Sequence, residues 1–298
     1  MRLRIRHETT YGYADPVELA AHMVHLRPRS LPWQRVHAFV LRPDPAPSRL
    51  SEGTDHFGNP VTWLFLGGPH SGLHVATEAD VTVVPRLPPD PPRTLAWERV
   101  VDLAQRPAAA TEAAEFAFGS AMAPADAAVR IWCAPSFPPG RPVLAGLLDL
   151  MARIGREFRF QPGVTTVSTP ITRVLQLRAG VCQDFAHLMI GGLRALGLPA
   201  RYVSGYVRTR PAPGQMRILG ADQSHAWVGC WLGPDHGWID LDPTNDLIVA
   251  DEHVVLGWGR DYADVSPLYG VLLGGGAHTL KVSVDMEPLD DTGLLAAG

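Results

Sequence analysis

The sequence predicts an α+β protein with a β-rich first part and a mixed second part. Three observations carry this. Residues 1–85 hold short β-branched or aromatic runs separated by turn signals. Residues 85–94 carry five prolines in ten positions. Beyond them, helical spacing gives way to strand alternation between residues 168 and 207.

In the first part, Leu3, Ile5 and His7 alternate with Arg2, Arg4 and Arg6, as in a half-buried strand. Val36–Leu41, Val61–Leu66 and Val81–Val84 read as further short strands, with turns at Gly58-Asn59-Pro60 and Gly67-Gly68-Pro69. Proline cannot donate to a ladder and stiffens the chain, so residues 86–94 read as a linker between a domain at 1–85 and a second part at 95–298. Alanine-rich segments near 108–118 and 123–132, and residues 141–156, suggest helices. Ser168 or Thr169 can cap a helix that has Pro170 at its first position and Gly180 as a left-handed stop. A second helix is expected from Cys182 to Leu196, with Phe185, Leu188, Met189, Gly192 and Leu196 on one face. Strands follow at 200–207, 225–231, 238–241 and 278–285.

Composition removes several functions. Thirty acidic against 26 basic residues leave a net charge of −4, so there is no basic footprint for nucleic acid. Lys281 is the sole lysine and has no glycine beside it, which excludes a Walker A loop. No run of 18 apolar residues spans a membrane, and the N-terminus lacks the apolar core of a signal peptide. Three widely spaced cysteines make no disulfide framework. A cytoplasmic, reducing location is the expectation. No cofactor is implied, and no acidic loop suggests calcium.

Chemistry points to Cys182. A cysteine in such a chain is usually a small buried hydrophobe, which is how Cys133 and Cys230 read. Cys182 instead opens a helix, where unpaired N–H groups and the helix dipole favour a thiolate. His225, at the head of the strand His225-Ala226-Trp227, is the natural base. His187 lies five positions after Cys182, about 140° round the helix, and should point away. Asp240 and Asp242 are both candidates to orient the imidazole, and strand period alone does not choose between them. A zinc site from Cys182, His225 and Cys230 is disfavoured, because His225 and Cys230 face opposite sides of a regular strand and no metal-binding spacing is present.

Three ordered blocks then carry a resemblance. They are Gly180-Val181-Cys182-Gln183-Asp184-Phe185-Ala186-His187 continuing into Leu193–Tyr206; Asp222 with Ser224-His225-Ala226-Trp227-Val228; and Gly237-Trp238 ahead of Asp242-Pro243-Thr244-Asn245. Over about 155–250 the chain resembles the bacterial transglutaminase-like superfamily. His7-Glu8-Thr9-Thr10-Tyr11-Gly12-Tyr13 and Asp55-His56-Phe57-Gly58-Asn59 resemble the β-rich region that precedes such cores, and Gly259–Pro267 the segment that follows them. The resemblance implies a papain-like core, in which a helix carrying cysteine packs on an antiparallel sheet carrying histidine and aspartate. It implies Cys182 as nucleophile, His225 as base and then acid, and Asp242 as the orienting carboxylate. Gly229 departs from relatives, which often have Glu there. The Cys182 N–H is an expected oxyanion donor, with Gln183 and Gln161 as candidates for the second. The implied activity is acyl transfer from a peptide or protein amide through a thioester, chiefly as a peptidase or amidase. Transglutamination and a non-catalytic binding module on the same fold are the alternatives. The oligomeric state is not implied.

Overall fold

The structure is a computed structural model, and it describes residues 1–106, 112–209 and 223–289. The chain opens with β1 (Arg2–Val24), β2 (Gln34–Asp44), β3 (Arg49–Thr54) and β4 (Pro60–Val83). The short runs expected at 61–66 and 81–84 are the two ends of the single strand β4, which pairs with nearly all of β1. Gly67-Gly68-Pro69 therefore makes no turn. It lies where the β1–β4 ladder shifts register between Val17 and Leu19, the kind of irregularity that tolerates a residue without an N–H.

The linker expected at 86–94 is tied down. A single 3-10 turn forms at Pro91–Arg93, and Arg86 donates to Asp240 at 2.8 Å while stacking on Trp33. Helix α1 (Trp97–Ala104) follows. Of the helix expected at 108–118, residues 108–111 lie outside the described part, and 112–117 are helical. Asp126 caps α2 (Ala127–Cys133), accepting from the N–H groups of Ala128 and Val129. Helix α3 spans Val143–Glu157, and a short strand β5 (Arg159–Phe160) follows.

Helix α4 (Ile171–Leu177) differs from expectation at both ends. Pro170 itself is the N-cap, and the Thr169 hydroxyl is taken up by the Thr166 N–H. The left-handed stop is Arg178, at φ 51°. Gly180 is needed for a different reason: it sits in β6 (Ala179–Gly180), where a Cβ would lie 2.6 Å from the Asp184 carboxylate.

Helix α5 (Cys182–Ala195) starts where expected and is buried on all sides from Asp184 to Arg194, not on one face. It is the central helix, with α2, α3 and α4 on one side and the core sheet on the other. That sheet comprises β7 (Ala200–Val207), β8 (Gln223–Trp231), β9 (Trp238–Asp242), β10 (Leu247–Ile248) and β11 (His253–Gly259), in the order β10-β9-β8-β7-β11. The last strands, β12 (Leu268–Gly274) and β13 (His278–Pro288), return to the N-terminal sheet and line one edge of β1. The two structural layers therefore do not follow the sequence division at 86–94.

Strand β11 is the edge of the core sheet, and its unpaired backbone is closed by side chains from the N-terminal part. Gln34 donates to the Val255 carbonyl and accepts from its N–H, at 2.7 and 2.8 Å. Asn59 does the same with Trp258, at 2.8 and 2.9 Å. Each side-chain amide imitates one residue of a neighbouring strand, which protects an edge that would otherwise invite pairing. The turn Asp55–Asn59 holds Asn59 in place through Asp55, which accepts from the Asn59 N–H and side-chain amide. Asn59→Ala leaves both Trp258 backbone groups without partners. It should lower unfolding stability by about 2–4 kcal/mol in urea titration.

Candidate active site

Cys182 is the first residue of α5, so its side chain stands at the helix N-terminus. The end is kept open by Asp184, whose Oδ2 accepts from the Val181 N–H at 2.8 Å and from the Thr165 hydroxyl at 2.6 Å. Burial raises the Asp184 pKa, and these two hydrogen bonds oppose that shift. His225 projects from β8, directly opposite Gly205 of β7. A Cβ at Gly205 would meet the Val254 carbonyl at 2.1 Å and the Trp227 ring at 2.4 Å, so glycine lets β7, β8 and β11 close here.

His225 Nε2 is 2.8 Å from Asp242 Oδ2. Cys182 and His225 line the same cleft, and the bond at Nε2 leaves Nδ1 of the imidazole free of Asp242. The three residues expected to act together thus lie together. Asp242, not Asp240, meets the imidazole. Asp240 pairs with Arg86 instead. His187 is turned into the core, where it accepts from the Tyr262 N–H and packs on Tyr202. Cys133 and Cys230 are buried, and burial pushes the Cys133 thiol up to about 12 and Cys230 higher still. Asp222 lies outside the described residues.

The pair opens into a cleft of about 710 Å³ between the core and the N-terminal sheet. Val181, Cys182, Gln183, Tyr202 and His225 form one wall. Alternate residues of β1 and β13, His7, Thr9 and Tyr11 with Leu280, Val282 and Val284, form the other. Gln183 lines the cleft, although its amide donates to the Val167 carbonyl. Gln161 is not among the lining residues.

Comparison with known proteins agrees with this arrangement. The sequence model of the transglutaminase-like superfamily matches residues 140–243, and that of the bacterial transglutaminase-like N-terminal region matches residues 3–82. An uncharacterized protein of Mycobacterium tuberculosis is 40% identical over 99% of this chain and 95% of its own. The chain belongs to the transglutaminase-like superfamily. A 116-residue stretch is 34% identical to a protein-glutamine gamma-glutamyltransferase of Pseudomonas aeruginosa, covering 36% of this chain and 17% of that one. The fold matches the crystal structure of a candidate cysteine protease from Cytophaga hutchinsonii with a TM-score of 0.77, at 23% identity, over 97% of this chain and 91% of that one. No helix among the described residues is long and apolar enough to cross a membrane.

This member of the superfamily has a second imidazole on the same carboxylate. His253 Nε2, at the head of β11, is 3.0 Å from Asp242 Oδ2, and its ring packs edge-on against Trp227. The sequence signal was a histidine opening an apolar strand, His253-Val254-Val255, as His225 opens its own. Asp242 also accepts from the N–H groups of Thr244 and Asn245 and from the Asn245 amide. His225, Asp242 and His253 offer ligand atoms within 4.8 Å of one another. They would hold a divalent ion only by giving up the hydrogen bonds that now orient them.

Tyr202 was quoted only within a motif, yet it lines the cleft. Burial first, then the charges of Cys182, Tyr262, Asp184 and Asp261, raise its pKa, so its phenol stays protonated and can donate. His7 is held neutral: burial lowers its pKa to about 4, and its ring nitrogens bond Thr9 and the Tyr206 hydroxyl.

Burial would lower the His225 pKa, but hydrogen bonds to Asp242 and Cys182, with the charges of both, raise it from 6.5 to about 9. The stabilisation from this group is full below pH 6.5 and is lost as pH rises through about 9. Asp242 is shifted the other way. Burial would raise its pKa, but its hydrogen bonds win, so its share is present above 3.8 and is lost in acid. The stability difference between the native chain and His225→Gln should be larger at pH 6 than at pH 9.5, by up to about 3 kcal/mol in urea unfolding.

Proposed function

We propose that the protein is a cysteine-dependent acyl-transfer enzyme that cleaves amide bonds of peptides or proteins through a thioester. The observation that carries this reading is the imidazole of His225, hydrogen-bonded to the buried Asp242 and lining one cleft with Cys182.

In this reading His225 takes the thiol proton and Cys182 attacks as the thiolate. The sulfur attacks the carbonyl carbon, and the new S–C bond moves a pair of electrons onto oxygen. The Cys182 N–H and the Tyr202 hydroxyl are the donors we assign to that oxyanion. His225 gives its proton to the amine, the C–N bond breaks and the acyl group stays on sulfur. Water then attacks the thioester, His225 takes its proton, and the acid leaves as the C–S bond breaks. Asp242 holds the ring and balances its charge throughout. Hydrolysis is the favoured outcome because bulk water outcompetes a scarce amine at the thioester unless a site excludes it. Transfer to an amine is the second reading, favoured by the stretch similar to the Pseudomonas aeruginosa glutamyltransferase. The three cysteines are free, in keeping with a reducing, cytoplasmic setting.

The test incubates the protein with a peptide pool, with and without a primary amine, and reads products and the Cys182 adduct by mass spectrometry. Cleaved peptides with a transient acyl adduct are expected, and turnover unchanged in Cys182→Ala would refute the assignment. On a substrate so found, Tyr202→Phe should lower kcat by about 10²-fold with a smaller change in KM. The rate should fall as pH rises through about 9, where His225 loses its proton.

A further inference from the structure

A second cavity, of about 360 Å³, shares no lining residue with the cleft. It lies on the face of the core sheet that carries Arg201, Gly229 and Asp240, which are neighbours across β7, β8 and β9. Arg201 is 5% exposed, and its buried Nε has no hydrogen-bond partner among the described residues. It is clasped between the indoles of Trp238 and Trp258, 4.3 and 3.8 Å from the ring centres. It makes one long ion pair, to Asp240 Oδ1 at 3.9 Å, while the other oxygen of that carboxylate takes Arg86 at 2.8 Å. A second guanidinium, Arg29, stacks on Trp258 at 3.5 Å and also lines the cavity.

A buried cation whose one ion pair is too long for a hydrogen bond gains from an acceptor that reaches it closely. Gly229 adds to the observation. A Cβ there would come within 2.8 Å of Arg201 Nε and 3.0 Å of Asp240 Oδ1, so the absent side chain leaves Arg201 its room. The other lining groups set the class of acceptor. Glu112 and Glu115 line the same cavity, and Glu115 is paired with His56 at 3.0 Å. Their charge disfavours a polyanion. Phe57, Phe116 and Trp238 supply an apolar wall.

We propose that this cavity binds a small organic monocarboxylate, its carboxylate on Arg201 beside Arg29 and its apolar body against Phe116 and Trp238. The proposal is independent of the chemistry at Cys182.

Calorimetric titration of the full chain with benzoate tests it, with benzamide and inorganic phosphate as the neutral and polyanionic comparisons. Saturable benzoate binding is expected, with benzamide and phosphate at least about tenfold weaker. Arg201→Gln should weaken benzoate by about tenfold or more, and Glu112→Gln, on the surface, should tighten it by about threefold. No saturable binding of benzoate up to about 10 mM would overturn the proposal. So would phosphate binding as tightly as benzoate, or affinity unchanged by Arg201→Gln. Should Arg201→Gln fail to fold, Glu112→Gln decides: tightening upholds the site, and unchanged affinity refutes it.

Discussion

A carboxylate taken wholly out of water costs several kcal/mol unless donors replace the solvent, and Asp242 is 0% exposed. Five donors surround it: two imidazoles, two backbone N–H groups of the turn after β9, and the Asn245 amide. Each comes from a part of the core that must be correctly placed. His225 needs β8 in register with β9, His253 needs β11 against β7, and the turn donors need Pro243 to end the strand. The anion thus ties the completion of the core sheet to the orientation of one imidazole. A fold that satisfies Asp242 has already aimed His225 at the N-terminus of α5.

The N-terminal sheet has two roles in this arrangement. Gln34 and Asn59 close the open edge of β11, which fixes the sheet against the core through backbone-like hydrogen bonds. With that angle set, alternate residues of β1 and β13 face Cys182 across the cleft. Clamp and wall are separate residues on the same sheet, so the chemistry is built by one layer and the groove is shaped by both.

Sequence reading went furthest where a residue type had one physical use. A cysteine opening a helix and a histidine opening an aromatic strand could be placed before any coordinates, and Cys182 and His225 line one cleft. The choice of Asp242 over Asp240 came from resemblance, since alternation puts both on one side. What separates them is long-range: Arg86, from the proline-rich segment, claims Asp240. His253 went unseen for the same reason, because strand order, not spacing, brings β11 to β7. The turn expected at Gly67-Gly68-Pro69 and the stop expected at Gly180 show the limit of local rules. Glycine marks a need for space, and whether that need is a turn, a bulge or a neighbouring carboxylate is decided by partners far along the chain.

Strand β13 pairs with β1 along Leu3–Tyr13 and supplies half of the wall facing Cys182. A ribosome delivers those residues only after Cys182, His225 and Asp242 have all emerged. A nascent chain halted before residue 278 therefore carries Cys182 without its groove. Assembly of the finished pocket waits on the late return of the polypeptide to its own beginning.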